Sequence, residues 1–414
     1  MQEAYIVAYG RSAAAKAKQG ALFHERPDDV AAKVLQGVLK RIDGKFNKNM
    51  IEDVIVGTAF PEGLQGQNIA RTIALRAGLS DTVPGQTVNR YCSSGLQTIA
   101  IAANQIMAGQ GDILVAGGVE LMSAVPMGGQ GDILVAGGVE LMSAVPMGGN
   151  EPTNNPTLQY DDIGASYPMG LTAENVASQF DVSREDQDAY AVRSHQRAYD
   201  AQRDGRFKDE IIPIRVNSVE YTNAGPKVHT NIFDQDEFIR PDTTMEALAK
   251  LRTVFKADGT VTAGTSAPLS DGAGFVVLMS GDKVKELGVT PIARFVGYKA
   301  VGVDPKIMGI GPAYAIPEVL SLSNLSVEDI DLIELNEAFA SQTIASIKEV
   351  GLDISRTNVN GGAIALGHPL GATGAMLTAR LLNEMGRRPD SRYGMVTMCI
   401  GVGMGAAAIF EYVR

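Results

Sequence analysis

VPGQTVNRYCSSGLQTIAIAANQIMA, residues 83–108, reads as a strand that turns sharply into a helix, with a cysteine at the turn. Residues 83–89 are short and extended in character. From residue 93 onward Leu96, Ile99, Ala103 and Ile106 recur at three- and four-residue spacing, which is the inward face of a helix. A strand joined to a helix by a tight turn is the unit of an α/β fold. The same unit recurs on both sides of this segment.

Upstream, residues 5–8 form a short apolar strand. Val30, Val34, Val38 and Ile42 then mark a helix over residues 27–42, opened by Pro27 with Asp28 and Asp29. DVIVG at 53–57 is a second strand. Far downstream, DLIEL at 331–335 echoes DVIVG, and Val359-Asn360 echoes Val88-Asn89. MVTMCI at 395–400 is a last buried strand. The echoes suggest two related α/β halves with the active site between them. The middle differs. Residues 149–166 are rich in Asn, Pro and Gly and read as a loop. Ser183 with Asp186 resembles a capping box at the head of a helix reaching about Asp204. Residues 216–270 read as an insertion carrying surface and binding elements, with no sheet core of their own.

GQGDILVAGGVELMSAVPMG occurs twice in succession, at 109–128 and 129–148. Each copy reads as one buried strand (113–116 and 133–136) followed by a Gly-Gly turn. Two identical units are too few for a solenoid. One sheet position holds one strand, so one copy is expected to fill it and the other to be displaced.

The chain has 414 residues, which predicts two or three domains. A net charge of −11 argues against a nucleic-acid partner. Two cysteines exclude a disulfide scaffold and suit a reducing, cytoplasmic setting. His24, His195, His229 and His368 are scattered, so no metal site is expected. No apolar run is long enough for a membrane span, and the N-terminal residues do not read as a secretory leader.

Cys92 sits where a helix N-terminus favours negative charge, so its thiol pKa is expected to fall. The bland alternative is a structural cysteine. His368 lies in NVNGGAIALGHPLGATGA, whose glycines let main chain approach a ligand. Cysteine with histidine is the minimum for an activated thiol, although a lone His can also cap a turn. Cys399, in MVTMCIGVGMGAAA, is either core or a proton carrier. Gly401 beside it could offer a backbone donor to an oxyanion. Asn336, in ELNEAFASQ, either closes a turn or orients a water or carbonyl. GVGMG at 401–405 is a poor dinucleotide site, because no acidic residue follows at the required distance.

Together these segments resemble the thiolase family. VNRYCSSGLQ is similar to its nucleophile segment, NEAFASQ to its asparagine motif, NGGAIALGHPLGATG to its histidine motif and CIGVGMGAA to its second cysteine motif. DGTVTAGTSAPLSDGAG and PMGLTAENVA are further family-like stretches. The resemblance implies a five-layer α-β-α-β-α fold of two similar halves with an inserted loop domain. It divides the chain into an N-terminal half (1–121 and 269–290), a loop domain (122–268) and a C-terminal half (291–414). It implies Cys92 as nucleophile, His368 as base and Cys399 as acid. Cys92 and Gly401 amides would form one oxyanion hole, and His368 with an Asn336-held water the other. Met169, Ser266 and Ala267 would face the substrate. CoA would be a co-substrate, with no permanently bound cofactor or metal, and a homodimer or homotetramer is expected.

Three departures from the family pattern stand out. The duplication straddles the start of the loop domain, which includes its second copy. Ala267-Pro268 stands where many members have a serine, removing a hydroxyl worth about 1 kcal/mol. The loop between Pro146 and Met169 looks shorter than in biosynthetic tetramers. Ser93-Ser94-Gly95 resembles degradative members, which favours a 3-ketoacyl-CoA thiolase of fatty-acid oxidation. The alternatives are an acetyl-CoA C-acetyltransferase and a thiolase-like CoA-binding protein without turnover. Cys399 argues against a decarboxylating condensing enzyme, which uses a second His or Asn there.

Overall fold

The structure is a computed structural model that describes residues 2–123, 157, 161, 163–222 and 225–414. Its strands are β1 (Ala4–Arg11), β2 (Ala15–Lys16), β3 (Asp53–Gly57), β4 (Gly85–Val88), β5 (Ile113–Leu121), β6 (Ile214–Thr222), β7 (Gly225–Phe233), β8 (Ser270–Ser280), β9 (Ala293–Gly302), β10 (Leu332–Leu335), β11 (Tyr393–Ile400) and β12 (Met404–Tyr412).

One ladder runs β10-β11-β12-β9-β1-β8-β5-β3-β4, with β2 on β8. It has two arms, joined where β1 meets β9 over only two residue pairs, Tyr5 with Arg294 and Ile6 with Ala293. The arms repeat one pattern. In the first, β3 lies parallel to β4 and β5, and β8 and β1 follow antiparallel. In the second, β10 lies parallel to β11, and β12 and β9 follow antiparallel. The likeness of DVIVG to DLIEL is thus a likeness of position. The second echo is weaker: Val359 lies in a turn, and the counterpart of β4 shrinks to a single parallel bridge between Ile333 and Thr357.

Helices fill the space between and outside the arms. Helix Ser94–Met107 and helix Leu370–Arg387 pack on each other between them. Leu96, Ile99, Ile106, Leu381, Leu382 and Met385 meet Leu114 and Val276 of one arm and Val396, Met398 and Phe410 of the other. Helix Leu370–Arg387 is buried without interruption from Gly371 to Met385, as a helix with neighbours on all sides must be. Truncating Leu381 or Leu382 to alanine there would cost about 2–5 kcal/mol. Outside the first arm lie helices Pro27–Lys40 and Ile69–Arg76, through Val30, Val34, Val38 and Ile73. Outside the second lie helices Gly311–Ser323 and Ala340–Val350, through Ile316, Val319 and Leu320. The result is five layers, α-β-α-β-α.

Two sequence expectations need correction. Gly117-Gly118 is not a turn, because β5 runs through it to Leu121. A methyl at Gly117 would lie 2.2 Å from the Phe275 ring, and one at Gly118 would lie 2.1 Å from the Gly371 carbonyl oxygen. The glycines are there for close packing, a role that looks like a turn signal in sequence. Residues 216–270 include strands that were not expected: β6 and β7 pair antiparallel over nine residues. β7 is largely exposed and lacks the one-sided apolar alternation that announces a strand. The capping box is present, with Asp186 N–H donating to Ser183 Oγ at 3.0 Å and Ser183 N–H to Asp186 Oδ2 at 3.4 Å. The first copy of the repeat supplies β5. The second copy and most of 149–166 lie outside the described residues.

Candidate active site

β4 ends at Val88, and Tyr91–Ser93 form one 3-10 turn that feeds helix Ser94–Met107. Ser94 ties this corner, its Oγ accepting from Arg90 N–H at 2.9 Å and donating to Tyr91 O at 2.7 Å. Tyr91 adopts φ +43°, a left-handed backbone that costs a residue with a side chain about 1–2 kcal/mol. The strain turns the next residue, Cys92, out of the strand direction and over the helix start.

The second corner is close by. Pro369 caps helix Leu370–Arg387, and His368 precedes it. The two helix starts approach backbone to backbone: a methyl at Gly95 would lie 2.9 Å from the Gly371 carbonyl oxygen, and one at Gly374 would lie 2.2 Å from Leu96 N. Cys92 and His368 therefore occupy neighbouring helix N-termini between the two arms. No direct hydrogen bond joins the Cys92 sulfur to His368 among the described residues.

His368 is buried at 5% exposure. Its Nδ1 lies 2.6 Å from Thr373 Oγ1, and its Nε2 lies 3.3 Å from Asn336 Nδ2. Thr373 spends its one hydroxyl proton on Pro369 O at 2.9 Å, so it accepts from the imidazole. The network assigns the proton to Nδ1 and leaves a lone pair on Nε2, facing the Asn336 amide. Burial lowers the His368 pKa to about 4, so the ring is neutral near pH 7 and Nε2 is a base.

β11 brings Cys399 to the site from the second arm, and Gly401 opens the turn after it. The backbone N–H groups of Gly401 and of Cys92 itself lie near enough to the Cys92 sulfur to favour its charged form. Cys399 is fully buried and close enough to Cys92 that a charge on one raises the pKa of the other. The expected fall of the Cys92 pKa is overturned. Part of the residue's surface stays open, yet the protein packed around it pushes the thiol up to about 11. The two amides oppose that rise without cancelling it. Cys399 is raised further, by burial first and by Cys92 second. The resting site holds two thiols and a neutral imidazole.

The remaining expected residues lie around this centre. Met169 packs with Cys399, Ala338 and Phe339, and its sulfur would be 3.7 Å from a methyl placed on Gly401. Ser266 bridges to Phe339, and Ala267 N–H donates to Ala338 O at 2.9 Å, so both line the turn that carries Asn336. Asn336 is fully buried and its Oδ1 has no partner among the described residues.

Three residues were not singled out in the sequence. Thr373 orients His368. Gln342 Oε1 accepts from the Cys399 thiol at 3.1 Å. Glu337, 1% exposed, accepts from Tyr190 Oη (3.0 Å), Ser194 Oγ (2.7 Å), Asn358 Nδ2 (2.9 Å) and Ile364 N–H (3.2 Å). All three stand inside the motifs already quoted. Nothing in their spacing distinguishes them from helix and turn residues, so their signal is proximity, which only the fold supplies.

A thiol, an imidazole and a second thiol gathered between two repeated α/β halves define a class, and the comparisons agree with it. Residues 4–282 match the family described as Thiolase, N-terminal domain, and residues 289–412 match Thiolase, C-terminal domain. The chain belongs to the thiolase family. It is 49% identical over 414 residues to the 3-ketoacyl-CoA thiolase of Bacillus subtilis (strain 168), covering 99% of this chain and 100% of that one. It is 45% identical to the peroxisomal 3-ketoacyl-CoA thiolase 1 of Arabidopsis thaliana, covering 98% and 87%. Among solved structures, Bacillus anthracis acetyl-CoA acetyltransferase superposes with a TM-score of 0.85 at 41% identity, and human mitochondrial 3-ketoacyl-CoA thiolase with 0.84 at 39%. Each match covers 100% of this chain and 99% of the other.

Proposed function

We propose that the chain is a 3-ketoacyl-CoA thiolase, an acyltransferase that cleaves 3-ketoacyl-CoA with CoA to acetyl-CoA and a shortened acyl-CoA. The observation that carries the mechanism is the His368 tautomer, with its lone pair on Nε2 and its proton held by Thr373. Cys92 gives its proton to Nε2 as sulfur attacks the 3-keto carbon. The Cys92 and Gly401 amides, both near the sulfur, receive the oxyanion; one such donor is typically worth about 3–4 kcal/mol. The bond between C2 and C3 then breaks. The leaving enolate takes the Cys399 proton at C2, and the acyl group stays on Cys92. Protonated His368 Nε2 and a water on the free Asn336 Oδ1 hold the thioester oxygen while it carries charge. CoA gives its thiol proton to Cys399 and attacks the acyl group, and His368 returns its proton to Cys92.

Met169 and the wall of Ala338 and Phe339 suit an apolar acyl chain, and Ser266 and Ala267 suit the thioester arm. No helix among the described residues is long and apolar enough to cross a membrane. We place the enzyme in the cytoplasm as a homodimer or homotetramer, with residues 122–268 as the loop domain over CoA. An acetyl-CoA C-acetyltransferase is the second reading, favoured by the superposition on the Bacillus anthracis enzyme.

The deciding experiment is CoA-dependent cleavage of acetoacetyl-CoA and of a medium-chain 3-ketoacyl-CoA. Faster cleavage of the longer substrate supports the thiolase of fatty-acid oxidation. Cleavage of acetoacetyl-CoA alone moves the chain to the second reading. CoA binding without any cleavage would make it a carrier.

A further inference from the structure

Cys399 has a directional partner. Its thiol lies 3.1 Å from Gln342 Oε1, in the first turn of helix Ala340–Val350. An amide could present either its oxygen or its nitrogen to a sulfur, and these have opposite consequences. The surroundings decide which. Thr343 Oγ1 donates its proton to Phe339 O at 2.9 Å, so it can only accept from Gln342 Nε2, which lies 2.9 Å away. With Nε2 committed there, Oε1 faces the sulfur. Gln342 is fully buried, and Gly309 leaves it room: a methyl on Gly309 would come within 2.7 Å of the Gln342 Cβ.

We propose that Gln342 is the positioning residue of Cys399, an acceptor held in one orientation by Thr343 that fixes the sulfur in place and keeps its proton on it. The proposal rests on the acid role given to Cys399 above. A carbonyl oxygen favours S–H and opposes S⁻, since its lone pairs face the sulfur. The thiol therefore keeps its proton until a stronger base, the enolate carbon, arrives. Only then does the S–H bond break and the C–H bond form, leaving a thiolate that the CoA proton refills. An inverted amide would donate to the sulfur and stabilise the thiolate, drawing the resting group away from the protonated form that the enolate needs.

The chain has two cysteines, so the Cys92→Ser protein carries a single S–H oscillator. Its Raman S–H stretch, in a window clear of other protein bands, reports the hydrogen bond of Cys399 directly. Gln342→Met, close in volume, should move the band to the higher wavenumber of a free thiol. Thr343→Val should shift or split it, because the amide is then free to turn. In chains that retain Cys92, each substitution should lower kcat for cleavage at least tenfold with KM changed less than twofold and an unchanged melting temperature. A band unmoved by Gln342→Met, or a moved band with unchanged kcat, would overturn the proposal. Cys399→Ala, assayed alongside, separates the two levels. If it stays active, the acid role itself is wrong. If it is inactive while Gln342→Met leaves the band unmoved, only the role of Gln342 is wrong.

Discussion

His368 and Thr373 are joined by a 2.6 Å hydrogen bond in which the imidazole donates, because the threonine hydroxyl is already committed to Pro369 O. The bond selects the tautomer in which Nε2 is the base. Thr373→Val keeps the shape of the side chain and removes the acceptor. The ring then loses its bias, and its buried Nδ1–H loses its partner, a penalty of about 1–3 kcal/mol. We expect kcat/KM for thiolytic cleavage to fall about tenfold or more, as 1.4 kcal/mol would give. Thr373→Ser should recover most of it. Equal activity of the valine and serine variants would show that Thr373 does not set the tautomer.

The two shifted pKa values predict how Cys92 reacts before substrate arrives. With His368 near 4 and Cys92 near 11, raising the pH through 4 makes the imidazole neutral, and the thiol keeps its proton until far above neutrality. Alkylation of Cys92 by iodoacetamide, followed on its own peptide by mass spectrometry, should rise about tenfold per pH unit from 6 to 9. A preformed thiolate–imidazolium pair would react at a nearly constant rate across that range. Such a plateau would mean that the proton is transferred in the resting enzyme.

Glu337 follows Asn336 in the chain, yet its four hydrogen bonds reach helix Arg184–Arg203 and residues 358–364, the segment leading to His368. Asn358 completes the clamp. Its Oδ1 accepts from Leu335 N–H at 2.9 Å and its Nδ2 donates to Leu335 O at 2.8 Å. The carboxylate thus sets the separation of Asn336 and His368. Glu337→Ala would leave the Tyr190 and Ser194 hydroxyls and the Ile364 N–H without their acceptor, while Asn358 Nδ2 keeps Leu335 O. We expect a loss of about 3–5 kcal/mol in urea unfolding, in the upper range for one substitution. A loss under 1 kcal/mol would show that water replaces the carboxylate and that the clamp is not structural.

Much of this was legible in the sequence because the proposed site residues sit next to the ends of strands and helices. Such positions are marked by local features: the short extended segment before Cys92, the helical spacing after it, and Pro369 after His368. The repetition of the halves was visible in DVIVG and DLIEL, which hold equivalent positions parallel to their neighbours. Long-range effects escaped. The Cys92 thiol is governed by how much protein surrounds the sulfur, and no local helix argument contains that term. Gly117 and Gly118 mark where Phe275 and Gly371 come close, and both are distant in sequence. Gln342 reaches Cys399 on β11 and Thr373 reaches back to His368 just before its own helix, and in sequence each looks like any other polar helix residue.

The duplication gives the last prediction. Strand β5 comes from the first copy, and its pairings are complete: Asp53–Gly57 on one side, residues 271–279 on the other. Glu120 adds to them, accepting from Ala59 N–H at 2.6 Å, Gln65 Nε2 at 2.6 Å and Gly371 N–H at 3.0 Å. Those contacts bind β5 to the helix that carries the histidine corner. Deleting residues 129–148 removes none of them, and because the copies are identical, deleting 109–128 yields the same chain. Halving a long connection changes its closure entropy by only about 0.6 kcal/mol. The shortened protein should therefore melt within a few degrees of the full chain and cleave 3-ketoacyl-CoA at least as fast. A melting temperature lower by ten degrees or more, or lost cleavage in a folded protein, would mean that the second copy makes contacts the enzyme requires.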